Sequence, residues 1–61
     1  MPPRMLFEEI ARIALEASTK ESYRAEARIR RIQVAIDMYY DGYDTELLSQ
    51  LKKRKEELEK A

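Results

Sequence analysis

Sixty-one residues make one domain at most, and a core that small rarely supplies more than about 3–5 kcal/mol by itself. The chain has no Cys and no His, which excludes a disulfide framework, a thiolate or imidazole metal site, and the commonest general base. Twelve Lys and Arg balance twelve Asp and Glu, so the net field that draws a protein to nucleic acid or to an anionic membrane is missing.

The first element begins near Pro3, whose fixed φ is already helical and whose missing N–H is no loss in a first turn. At about 100° per residue, Leu6, Ile10, Ile13, Ala14 and Ala17 fall on one stripe, with Phe7 at its edge. Glu8, Glu9, Arg12 and Glu16 fall largely opposite. The pattern predicts an amphipathic helix over about 3–17.

Ser18-Thr19-Lys20-Glu21 has the spacing of a capping box, which predicts a helix restarting near residue 19. Ala25, Ile29, Ile32, Ile36, Tyr39 and Tyr43 then recur at spacings of three and four. This second helix is expected to run over about 19–41. It ends at Asp41-Gly42-Tyr43-Asp44, where the only Gly of the chain suits a left-handed cap. Asp44 or Thr45 caps a third helix over about 45–60, with Glu46 favourable in its first turn. Leu47, Leu48, Leu51 and Leu58 form its apolar stripe. Lys52/Glu56, Lys53/Glu57, Lys55/Glu59 and Glu56/Lys60 are spaced for surface pairs worth a few tenths of a kcal/mol each.

The expected fold is therefore all-α, an up-down three-helix bundle in a single domain, 1–61. The alternative is a continuous helix over 3–41 that folds back on helix three and dimerises. The junction at Ser18-Thr19 has no Gly or Pro, and Ser and Thr are only mildly unfavourable inside a helix. No run alternates with period two, so no strand is expected. Internal repeats and linkers are likewise not expected. No apolar run approaches the roughly 20 residues of a membrane span. Met1-Pro2-Pro3-Arg4 lacks the hydrophobic stretch of a signal peptide. A soluble chain with no encoded address is expected, bound neither to membrane nor to nucleic acid.

Catalysis is not expected. Acid–base chemistry would fall to carboxylates, Tyr or Lys, and Glu8 and Glu9 diverge by about 100° on a helix. Glu9 with Glu16, or Asp37 with Asp41, share a face only as solvated charge. A carboxylate-bridged metal site in a bundle wants Glu-x-x-His, and the His is absent. One Gly cannot build a phosphate loop. No metal and no cofactor are expected. Arg24, Arg28, Arg30 and Arg31 spread over a broad sector beside Glu21 and Glu26, which reads as a solvated flank; a recognition helix works in an excess of positive charge.

The most informative feature is a second apolar strip on helix two. Tyr23, Ala27, Val34 and Met38 lie roughly opposite Ile29, Ile32 and Ile36, with Arg30 and Arg31 beside them. On helix one, Ala11 and Leu15 also leave the main stripe, with Phe7 between the two sets. A bundle helix needs one buried face, and Tyr, Met and Arg are enriched in interface cores. The expected protein-binding surface is Phe7, Ala11, Leu15, Tyr23, Ala27, Arg30, Arg31, Val34 and Met38. The competing reading makes the strip a wide core. Tyr39, Tyr40 and Tyr43 are expected to close the bundle against helix three.

Length, short capped loops, the Asp-Gly-Tyr-Asp turn and the Lys/Glu-rich run from Thr45 to Lys60 together resemble computationally designed three-helix miniproteins made as protein binders. The likeness spans the whole chain and is one of style, without a specific motif. It departs from that style at Ser18-Thr19, where designs often place Gly, and in the Arg-rich central helix. The resemblance implies a non-catalytic monomer in which two helices, here one and two, contact a target protein and the third supports them. The alternatives are a purely structural bundle and a self-associating dimer. A narrower segment, Ile29-Arg30-Arg31-Ile32 with Ile36 and Tyr39-Tyr40, is similar to the pro-apoptotic helical motif that fills the groove of anti-apoptotic proteins. That motif wants a small residue and an Asp after its second anchor, where this chain has Gln33 and Val34.

Overall fold

Pro3 opens the first helix, and the computed structural model describes the chain from there to Ala61, with side chains from Leu6 onward. Met1 and Pro2 lie outside the described residues. Three helices follow in order, α1 (Pro3–Ala17), α2 (Ala25–Asp37) and α3 (Thr45–Lys60). Each packs against the other two, giving an all-α three-helix bundle of 32 × 19 × 14 Å. The break after Ala17 excludes a continuous helix over 3–41.

α1 and α3 have the expected bounds, but α2 is shorter at both ends than 19–41. The capping box does not form. The Ser18 hydroxyl donates backwards to the Leu15 carbonyl at 2.6 Å, and the Thr19 hydroxyl donates to the Glu16 carbonyl at 2.8 Å. Both hydroxyls thus satisfy the open carbonyls of α1 and cannot start a new helix. Residues 19–24 are exposed, and a helix gains most of its stability by burying a face. A turn closed by the Tyr23 N–H on the Lys20 carbonyl at 3.2 Å stands there instead.

At the far end, the Met38 N–H closes α2 on the Ala35 carbonyl at 3.2 Å. Gly42 therefore lies beyond the helix, not at its cap. It has φ 96° inside the turn that joins the Tyr43 N–H to the Tyr40 carbonyl at 3.1 Å. Its place is the third residue of that turn, where a type II geometry demands positive φ.

The two loops correspond at an offset of twenty residues. Lys20–Tyr23 and Tyr40–Tyr43 make the same hydrogen bond, followed by one extended residue, Arg24 or Asp44. They differ at the cap. The Asp44 carboxylate accepts from the Leu47 N–H at 3.1 Å, whereas the Arg24 side chain makes no cap hydrogen bond. Arg24→Asp is therefore expected to add about 1 kcal/mol of stability. The check is a higher urea midpoint at unchanged slope, and an unmoved midpoint would show that the start of α2 is not limited by its cap.

The core joins Phe7, Ala11 and Ala14 of α1, Ile32 and Ala35 of α2, and Leu47, Leu51 and Leu58 of α3. The Phe7 ring lies 5.6 Å from Tyr39 and 5.5 Å from Tyr43, centre to centre. This aromatic group closes one end, with Tyr40 edge-on to Tyr43 at 6.0 Å. At the other end Arg54 of α3 crosses to the end of α1, where Nε meets the Ser18 hydroxyl at 3.0 Å and Nη2 donates to the Ser18 carbonyl at 2.8 Å. On the surface of α3, Lys55–Glu59 and Glu56–Lys60 pair at 3.7 and 3.1 Å. Glu57 is taken by Arg54 at 3.2 Å, not by Lys53.

The face that α1 buries is rotated from the expected stripe. Leu6 and Ile13 are 42% and 58% exposed, while Phe7 and Ala11 are fully buried. The apolar arc of α1 is broader than one buried face requires. Small Ala11 and Ala14 let neighbouring helices approach closely, and the Phe7 ring finds aromatic partners. The aliphatic residues at the other edge of the arc remain outside.

Candidate protein-docking face

That rotation creates the candidate site. α1 and α2 leave between them an open groove of about 340 Å³ lined by Ile10, Ile13, Ala14, Arg30, Arg31 and Val34. No α3 residue lines it. One wall carries Ile10 and Ile13, the other Val34 with the stems of the two arginines, which can cover apolar surface while keeping their charges in water. Arg31 stands 5.0 Å over the Tyr23 ring, a cation–π contact that holds its guanidinium at the groove edge.

The expected binding residues divide into three groups. Tyr23, Arg30, Arg31 and Val34 are exposed, and three of them line the groove. Ala27, Leu15 and Met38 are half-buried, the last two packed on the core. Phe7 and Ala11 are at 0% exposure and are corrected from surface anchors to core residues. Of the groove residues on the expected core stripe of α1, Ala14 is buried and Ile10 packs against the core as that stripe has them, while Ile13 is 58% exposed and is corrected to the surface. The missed signal is the breadth of the α1 arc, too wide for one interface.

The Ile29/Ile32/Ile36 stripe is occupied by the bundle. Ile32 is at 0% exposure and the other two pack against the core. The folded chain therefore does not present the stripe that the pro-apoptotic motif uses as its anchors.

Comparison with protein-family models, curated proteins and solved structures finds no match.

Charge borders the groove asymmetrically. Arg30 and Arg31 mark the α2 side. On α1, Glu9 and Glu16 are exposed, and at about 100° per residue they flank Ile13 on the side away from α2. Among the described residues neither glutamate is in a salt bridge, and neither are Arg30 and Arg31. The second cleft, between α2 and α3, is lined by Gln33, Ile36, Lys52, Lys55, Glu56 and Glu59. It mixes both signs, and its wall is more polar than that of the α1–α2 groove. No described helix is long and apolar enough to cross a membrane.

Proposed function

We propose that this chain is a non-catalytic protein-docking module whose α1–α2 face receives an amphipathic helix edged with carboxylates. The observation that carries the reading is the open apolar groove between α1 and α2, floored by Ala14, walled by Ile10, Ile13 and Val34 and edged by Arg30 and Arg31. Of the large exposed apolar side chains among the described residues, Ile13 and Val34 line it. Leu6, Ile13, Tyr23 and Val34 belong to α1, α2 or the turn between them, while Tyr40 alone sits at the far loop. Concentrated exposed apolar surface is the usual mark of an interaction site. The bundle is folded before it docks, which limits the ordering entropy lost on association. The likeness to designed binders supports the same division of labour, with α3 as a support.

Two synthetic helical peptides test this, each with the same Leu/Ile ridge, one flanked by Glu and one by Lys. Titrated against about 1 μM protein, the Glu peptide is expected to bind at least tenfold more tightly at low salt. High salt should narrow the gap, because exposed charges are screened. Backbone resonance shifts should centre on Ile10, Ile13, Arg30, Arg31 and Val34. Equal affinity for both peptides, no binding, or shifts centred on the α2–α3 cleft would sink the proposal.

A further inference from the structure

A helix of the required chemistry is already present in this chain. α1 carries Leu6 and Ile13 exposed on one side, with Glu9 and Glu16 along its edge. We infer that the partner of the α1–α2 face is a second copy of this chain, docked about a two-fold axis so that α1 of each copy lies over α2 of the other. This rests on the docking reading above and names its partner.

Charge placement selects this arrangement. A two-fold interface matches a surface with itself, so every contact occurs twice. An axis lying in the face and parallel to the helices carries the Glu9/Glu16 edge of one copy over α2 of the other, toward Arg30 at its far edge and Arg31 on the groove side of Val34. The level of the glutamates agrees. Ile10 to Ala14 share the groove with Arg30 to Val34, and Glu9 and Glu16 bracket that span along α1. An axis across the helices would instead lay α1 over α1, setting glutamates against glutamates and arginines against arginines. Like charges juxtaposed across an interface disfavour that pairing.

The dimensions allow it. A standard interface takes about 800 Å² from each partner, roughly a sixth of the 4516 Å² surface of the chain. The broad side of the bundle measures 32 × 19 Å, so the contact falls at the small end of stable interfaces. A reversible dimer is expected, dissociating at micromolar concentration. It would cover Leu6, Ile13, Val34 and the groove in one step.

The decisive experiment is sedimentation equilibrium from 1 μM to 1 mM, with complementary charge variants mixed. Wild type should pass from monomer to dimer in this range. Arg30→Glu/Arg31→Glu and Glu9→Lys/Glu16→Lys should each stay at least tenfold more monomeric when alone, and should form a mixed dimer when combined. Val34→Glu should remove the dimer, with circular dichroism confirming an unchanged fold. A wild type that stays monomeric at 1 mM overturns the inference, as does a dimer indifferent to Val34→Glu or charge variants that fail to pair. The peptide titration separates the two readings. Acidic-peptide binding by a strictly monomeric chain would leave the docking module standing without this partner, and absence of both would remove both.

Discussion

Phe7→Ala is expected to leave the chain largely unfolded at 37 °C. The ring is at 0% exposure and touches the aromatic group of Tyr39 and Tyr43. Deleting a buried Phe costs about 3–5 kcal/mol, part in lost transfer energy and part in the cavity left behind. A bundle of this length holds only about 3–5 kcal/mol in total, so the loss matches the whole reserve. Thermal melting by circular dichroism should show the cooperative transition broadened or gone. Ile13→Ala is the matched control. At 58% exposure its loss should stay within about 0.5 kcal/mol, as for most surface changes. The helical stripe read from sequence alone reverses this order, with Ile13 inside and Phe7 at the edge. A folded Phe7→Ala beside an unfolded Ile13→Ala would restore that reading.

Arg54→Met is expected to cost about 2–3 kcal/mol, the range for a hydrogen bond from a charged donor together with a buried acceptor left open. Arg54 places two nitrogens on Ser18, one on the hydroxyl at 3.0 Å and one on the carbonyl at 2.8 Å. Ser18 is 1% exposed, so water does not readily replace the lost partner. The guanidinium also brings positive charge to the C-terminal end of α1, where the helix dipole is negative. Methionine keeps much of the stem and removes the donors, which separates polar from packing effects. Arg54→Lys should recover only part of the loss, since an ammonium cannot reproduce the planar fork. Glu57→Gln should matter little, because that partner is half-exposed and surface pairs contribute at most about 1 kcal/mol. Urea denaturation of the three variants checks the order. An Arg54→Met protein as stable as wild type would show that the contact closes the bundle without holding it.

The proposed dimer alters the meaning of both measurements. Any partner that binds only the folded state adds stability by mass action, so melting of the wild type should rise with protein concentration while that of Val34→Glu does not. Stability comparisons among core variants therefore belong at about 1 μM, where the monomer predominates.

Much of the fold was legible from local chemistry. Pro3 at the start of α1, Asp44 as the cap of α3 and Leu47, Leu51 and Leu58 as its buried stripe follow from rules that act within a turn or two of helix. Absence of His and Cys settles which ligands and bases the side chains can offer, whatever the fold. The face that α1 buries did not follow, because its apolar arc is broad enough to support two rotations and only the partners of Phe7 and the small Ala11 and Ala14 choose between them. Ser18 shows the same limit. Its spacing to Glu21 suits a helix start, but Arg54, distant in sequence, completes a helix end. Sequence by itself determined that the chain is helical throughout and that an apolar strip with Arg30, Arg31 and Val34 lies outside one stripe, while the break after Ala17 that makes three helices of two came from the structure. Tertiary structure decided that Phe7 and Ala11 belong to the core beside Ala14 and that Ile13 stays outside, on the groove between α1 and α2. The reason is physical: periodicity measures which residues share a face, whereas burial depends on what the other helices bring to it.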